Sequence, residues 1–204
     1  MSEGPKRSQA ARRRAAKEAL IEAASTIAVE SGVGAVTFDA IGRRAGYSRG
    51  LATQHFGSKR GLITAVINDL HMAMEEDAVA QARAAAAAGQ DALDAYVTAY
   101  FKGLRSSAIY QAYFLFLSGI VSDRSEMVEM FADSHQRVRR EISALARGTP
   151  AEKDDPSGAR DDNALALGAL LMGVSIQTLV DPSTDLDAME RRAKRVARAL
   201  FTED

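Results

Sequence analysis

The chain has 204 residues, of which 47% are hydrophobic and 26% charged, a balance that allows a substantial buried core. It contains no Cys, which excludes disulfides, thiolate-held zinc, iron–sulfur clusters and a cysteine nucleophile. The net charge of -1 is unevenly spread: residues 1–60 hold eleven Lys or Arg against five acids, and the remainder holds fifteen against twenty-two, so a basic head suited to a polyanion precedes an acidic body.

No proline occurs between Lys6 and Thr149, and period-2 runs of β-branched residues are missing, so the chain is expected to be all-α. Residues 1–9 read as a disordered polar leader. A first helix is expected from about Ala10 to Ser31, with Leu20, Ala24, Ile27 and Ala28 on one face. Gly32 and Gly34 end it. Thr37 reads as the N-cap of a second helix that reaches about Ala45, with Asp39 in the first turn. Gly46 makes a tight turn, and Ser48 caps a third helix that closes near Phe56. Gly57 breaks that helix, and Ser58 caps a fourth, expected to run to about Ala88.

Further helices are expected over 90–106, 109–123 and 126–147, followed by a charged surface loop over 148–160 with two prolines and two glycines. Two last helices, 161–180 and 185–201, are joined by Asp181-Pro182-Ser183, which makes about nine in all. The longest apolar run, Ala164 to Ile176, has 13 residues. That is short of the roughly 20 that span a bilayer. With no apolar segment at the N-terminus, the expectation is a cytoplasmic protein without a membrane partner.

Two short helices joined by a glycine turn inside a basic region suggest a helix-turn-helix that meets double-stranded DNA. Ala45 is small where the helices approach, and Gly46 tolerates a positive φ. Ile41, Leu51 or Ala52, and Phe56 supply a small core with Leu20 and Ile27. The third helix then presents Arg49, Thr53 and Gln54 outward; Arg pairs with guanine and Gln with adenine in the major groove. Thr37, Ser48, His55 and Lys59 are suited to phosphates. The leader and first helix add Lys6, Arg7, Arg12, Arg13, Arg14 and Lys17 as a source of backbone contacts or of non-specific attraction.

The run from Thr37 to Leu62, TFDAIGRRAGYSRGLATQHFGSKRGL, resembles the DNA-binding signature of the TetR family of bacterial transcriptional regulators. The resemblance covers about residues 14–74 and rests on Thr37, Ile41, Ala45-Gly46, Ser48, Gly50, His55-Phe56, Ser58-Lys59 and Leu62. It implies a homodimer that binds a near-palindromic operator, usually as a repressor, and a C-terminal domain that binds a small effector and releases the DNA. The implied division is a leader over 1–9, a DNA-binding domain over 10–57 and an effector-binding and dimerisation domain over 58–204. Three positions depart from the family pattern. Thr53 stands where Tyr is usual, Tyr47 replaces a small aliphatic residue and either packs or contacts phosphate, and Ala52 replaces a larger apolar residue.

Gly46-Tyr-Ser-Arg-Gly50 matches a nucleophile elbow only in letters, because a helix and not a strand precedes it. His55, His71 and His135 have no metal-ligand spacing. Neither an enzyme, a cofactor nor a metal is expected. In the body, seven of twelve aromatics fall between Tyr96 and Phe116, and four of them are Tyr, whose hydroxyls need partners when buried. Such a cluster also reads as plain core; with the family resemblance, a ligand pocket is expected from Met72, Tyr96, Tyr100, Tyr113, Phe114, Met127, Phe131 and His135. The segment 164–176 is apolar around most of its circumference, so it is expected to meet a second subunit. The resemblance implies that this helix and the final one form the dimer interface, with Leu165, Gly168, Met172, Gly173, Met189, Val196 and Leu200 as candidate contacts. The competing reading is an all-α ligand-binding or interaction protein whose head binds DNA without sequence preference.

Overall fold

A computed structural model of the chain describes residues 9–122, 128–146 and 159–202. The leader through residue 8, Met127 and most of the charged loop lie outside the described residues. Within them the protein is all-helical, in the order α1 (Gln9–Ser31), a 3-10 turn (Val33–Ala35), α2 (Phe38–Ala45), α3 (Arg49–Phe56), α4 (Lys59–Ala73), a π turn (Met74–Val79), α5 (Ala80–Ala87), α6 (Ala92–Ser106), α7 (Ala108–Ser122), α8 (Val128–Ala146), α9 (Ala159–Val180) and α10 (Leu186–Thr202).

The caps expected in the head form. Thr37 Oγ1 accepts from Ala40 N at 3.1 Å, Ser48 Oγ from Leu51 N at 3.2 Å and Ser58 Oγ from Gly61 N at 3.1 Å. Each satisfies a backbone donor that the helix itself leaves unpaired. Gly46 closes α2 in the left-handed region at φ 76°, ψ 25°. Ile41, Ala52 and Phe56 are buried between α2 and α3, joining Leu20 and Ile27 of α1. Burying such side chains stabilises by about 1.5–3 kcal/mol each for the larger ones, which is what holds an eight-residue α3 in place.

One expectation about the fourth helix is corrected. The run Ser58–Ala88 is not one α-helix, because a π turn over Met74–Val79 divides it into α4 and α5. Neither Gly nor Pro marks the break, so nothing in the local sequence announces it. The wider turn has i→i+5 bonds. It packs against α6, and Ala78 and Val79 within it are buried.

In the body, α6 is the hub, touching α5, α7, α8, α10 and the π turn. Leu93, Tyr96, Val97, Tyr100, Phe101 and Leu104 bury most of its circumference. Helix α1 extends from the head onto α7 and α4, so the head and body share one continuous core. Ion pairs tie α10 to α6: Arg105 meets Asp187 at 2.7 Å and Glu190 at 3.0 Å, and Arg198 meets Asp94. Helix α9 packs on α7, α8 and α10. Its stretch Arg160–Val180, 21 residues of mean hydropathy 1.7, is long and apolar enough to cross a membrane. The 13-residue run thus understates the helix that contains it.

Candidate nucleic-acid interface and ligand cavity

The eight residues expected at DNA lie around α3. Tyr47, Ser48, Arg49, Thr53 and Gln54 are exposed on it or just before it, as are Thr37 at the start of α2 and Lys59 at the start of α4; His55 is half-buried. Two open clefts flank the helix. One, of about 410 Å³, is lined by Thr37, Phe38, Asp39, Arg49, Lys59 and Leu62. The other, of about 600 Å³, lies between α3 and the start of α1 and is lined by Arg12, Arg13, Tyr47, Leu51, Gln54 and His55. Arg49 and Gln54 therefore point from a common helix into two different clefts, each with basic partners.

The electrostatics of this face favour anions. Arg43 and Arg44 are spoken for, by Asp39 at 3.3 Å and by Glu30 at 2.6 Å. Among the described residues Arg12, Arg13, Lys17, Arg49 and Lys59 form no ion pair. Burial, then Arg13 and Lys17, push the His55 imidazole below its usual range, which marks a local excess of positive charge. A phosphate placed in that cleft would relieve it. Thr53 Oγ1 donates to the Arg49 carbonyl at 3.0 Å, so its hydroxyl is free only to accept.

Sequence reasoning missed why the turn is so tight. A Cβ on Gly42 would lie 2.9 Å from the Tyr47 carbonyl oxygen and 3.2 Å from Arg49 N. Gly42, more than Ala45, is the point of closest approach between α2 and the start of α3. Its signal was only a glycine in a helix interior, where Ala is intrinsically better.

In the body, a small cavity of about 50 Å³ opens among Tyr96, Tyr100, Tyr110, Tyr113, Phe114, His135, Val138, Gly168, Leu171 and Met172. It brings together five of the eight expected pocket residues. Met72 is 58% exposed and does not line it. Phe131 is buried behind the wall, its ring 5.2 Å from that of Tyr113. Gly168 and Met172, expected at a dimer contact, face the cavity instead of serving only an outer surface. Leu165 and Val196 remain 54% and 40% exposed; Gly173 is also exposed, and Met189 and Leu200 are half-buried. With Ile176 and Val180 they leave an apolar outer face on α9 and α10.

Three hydrogen bonds organise the cavity's polar tips. The Tyr100 hydroxyl lies 2.6 Å from Ser175 Oγ and donates to the Leu171 carbonyl at 3.2 Å. The Tyr113 hydroxyl lies 3.1 Å from His135 Nε2. Among the described residues no Asp, Glu, Lys or Arg lines the space. Burial pushes the Tyr96 and Tyr100 phenols far up and Tyr110 up to about 12, and it lowers His135, so burial favours the uncharged form of all four. No set of three metal-ligating side chains occurs among the described residues.

Residues 20–66 match the family model described as bacterial regulatory proteins, tetR family, and residues 89–202 match the one described as BetI-type transcriptional repressor, C-terminal. The chain is similar to the HTH-type transcriptional regulator BetI of Rhizobium meliloti (strain 1021), 43% identical over 70 residues. That match spans 34% of either protein, about a third of the relative's length. Among solved structures it is similar to the SmeT–triclosan complex, with a TM-score of 0.71 and 21% identity over 93% of each chain. It is also similar to the multidrug binding protein EbrR complexed with malachite green, with a TM-score of 0.65 and 19% identity over 92% of this chain and 98% of that one. A regulator from Rhodococcus sp., described as putatively of the TetR family, gives 0.71 and 16% over 93% and 100%. At these identities the structural likeness is one of fold.

Proposed function

Because the chain belongs to the TetR family of bacterial regulatory proteins, and so is a DNA-binding transcriptional regulator with no enzymatic role, we propose that it acts in the cytoplasm as a homodimeric repressor. It binds a near-palindromic operator and leaves when a small molecule enters the body cavity. The observation that carries this reading is the surface around α3. Arg49 and Gln54 project from a short, doubly capped helix, between clefts whose unpaired cations are set to hold phosphates.

A two-fold dimer places two copies of α3 about one DNA turn, roughly 34 Å, apart or a multiple of it. The apolar outer face of α9 and α10, with Leu165, Ile176, Val180 and Val196, supports self-association there. Release is a coupling between cavity and head. Helix α4 starts at the DNA cleft with Lys59 and packs on α7, which carries Tyr110, Tyr113 and Phe114 of the cavity wall. The route thus passes through α7 rather than through Met72. A ligand that moves these rings shifts α4 by as much as its preference between the two states, typically about 1–3 kcal/mol.

The closed cavity is far below the roughly 300–1,000 Å³ of ordinary ligand sites, so binding requires the rings to part. Its uncharged lining favours a neutral, largely apolar molecule. Triclosan and malachite green, bound by two fold relatives, are the first compounds to try. The test is displacement of bound DNA: release by triclosan at lower concentration than by the cationic dye, and its loss in Tyr113→Ala, supports the reading. A disulfide between α4 and α7 in this Cys-free chain should keep DNA binding and abolish release. Release that survives the lock would contradict the proposed route.

A further inference from the structure

The cavity has a wall whose position is set by a residue that does not line it. Tyr110, at the start of α7, is 4% exposed, and its ring meets Tyr100 edge-on with centroids 5.8 Å apart. The far end of that ring lies on the α6 backbone at Gly103. A Cβ built on Gly103 would come within 2.3 Å of Tyr110 Cζ and 2.6 Å of its hydroxyl oxygen. Real Cβ atoms essentially never come under 3.0 Å of such a neighbour, and ordinary contact begins at about 3.4 Å, so any side chain at 103 requires the phenol to recede by about one ångström.

We propose that Gly103 is a positioning residue for the effector cavity: by having no side chain it seats Tyr110 against α6, and that seat sets the depth of the space between Tyr100, Tyr113 and Tyr110. The proposal rests on the reading of this cavity as the effector site. Gly103 sits in the interior of α6, three residues before its end. A glycine there is unfavourable for helix formation, and Ala would stabilise the helix if nothing stood over it. The ring of Tyr110 stands over it. In a space of only about 50 Å³, a shift of about one ångström by one wall takes up much of the room.

The carboxylate of Asp77, in the π turn, lies near enough to act on the Tyr110 phenol. The phenol's pKa is pushed up by burial and, after that, by this carboxylate.

The test compares wild type, Gly103→Ala and the double variant Gly103→Ala/Tyr110→Ala in crystals pressurised with xenon, the probe. Thermal melting is measured on the same proteins. The expected result is xenon density in the wild-type cavity, loss of that density with a displaced Tyr110 ring in Gly103→Ala, and its return in the double variant. The melting temperature of Gly103→Ala should fall and be recovered by the second substitution. If Gly103→Ala does not fold while the double variant does, the steric seat is supported directly. A Gly103→Ala protein that melts higher than wild type, with Tyr110 unmoved, overturns the proposal. Absence of xenon from the wild type, with Tyr110 still displaced in Gly103→Ala, counts against the effector cavity and leaves the seat standing.

Discussion

The head and the body solve opposite problems. The head keeps its functional side chains in water on a short, rigid scaffold: capped helices, a left-handed Gly46 and a backbone contact at Gly42 fix α3, while Arg49 and Gln54 stay exposed. The body hides its functional side chains. Its phenols are buried, those of Tyr100 and Tyr113 hydrogen-bonded to Ser175, the Leu171 carbonyl and His135, and closed around a small space. On the proposed reading, one site is preorganised for DNA and the other has to open for its effector. A regulator needs that asymmetry, because only a site that rearranges on binding can report occupancy elsewhere.

If the head is preorganised, removing its close approach should have the largest effect. Gly42→Ala drives a methyl into the backbone at Tyr47 and Arg49, which cannot swing aside. We expect a loss of about 1–3 kcal/mol in urea unfolding and at least about a tenfold loss in DNA affinity. Wild-type stability in this variant would mean that the turn is slacker than described. Arg49→Ala should leave the fold intact and cost about 1–3 kcal/mol at one base position, read by competition among operator variants. An equal loss on every sequence would make Arg49 a phosphate contact.

The body should answer less steeply. Tyr100→Phe removes a buried hydroxyl that meets both Ser175 and the Leu171 carbonyl, and Ser175 keeps its own bond to that carbonyl at 3.0 Å. A cost of about 0.5–1.5 kcal/mol is expected, with DNA binding unchanged. Acid should act on both regions. His135 is lowered by burial, and His55 by burial and then by Arg13 and Lys17, so the fold favours both neutral imidazoles. The unfolded chain binds protons there near pH 6.5. Their contribution is therefore complete above about pH 6.5 and is lost as pH falls through the lower folded values. Denaturation at about pH 7.5 and 5.5 should show the loss, and His135→Gln should flatten part of it. Arg44→Ala, which opens an exposed pair with Glu30, should be hard to tell from wild type in the same experiment.

The head was largely legible because its constraints are local. A cap needs Thr, Ser or Asp at one place, and a left-handed residue needs Gly, so Thr37, Gly46 and Ser48 carry their own instructions. Gly42 was less legible, since what demands it comes from the turn folding back over α2. The body's site is made by tertiary contact. Helix α9 is apolar nearly all round, so periodicity could not tell that Gly168 and Met172 turn to the cavity while Leu165 faces out. Met72 lies on an apolar-looking helix, yet its own side chain is exposed. Tyr110 stood in the aromatic run like its neighbours, and only its contact with Gly103 sets it apart. The π turn after Ala73 has no breaker residue at all.

The central claim is that this head reads DNA sequence as half of a two-fold pair. The most direct measurement is selection of bound fragments from a random double-stranded library at about 150 mM salt, where screening suppresses non-specific phosphate binding. Recovery of a near-palindrome, with half-sites about one turn or a multiple apart, is the predicted result. Fragments with no common motif, and binding that vanishes as salt is raised, would contradict it.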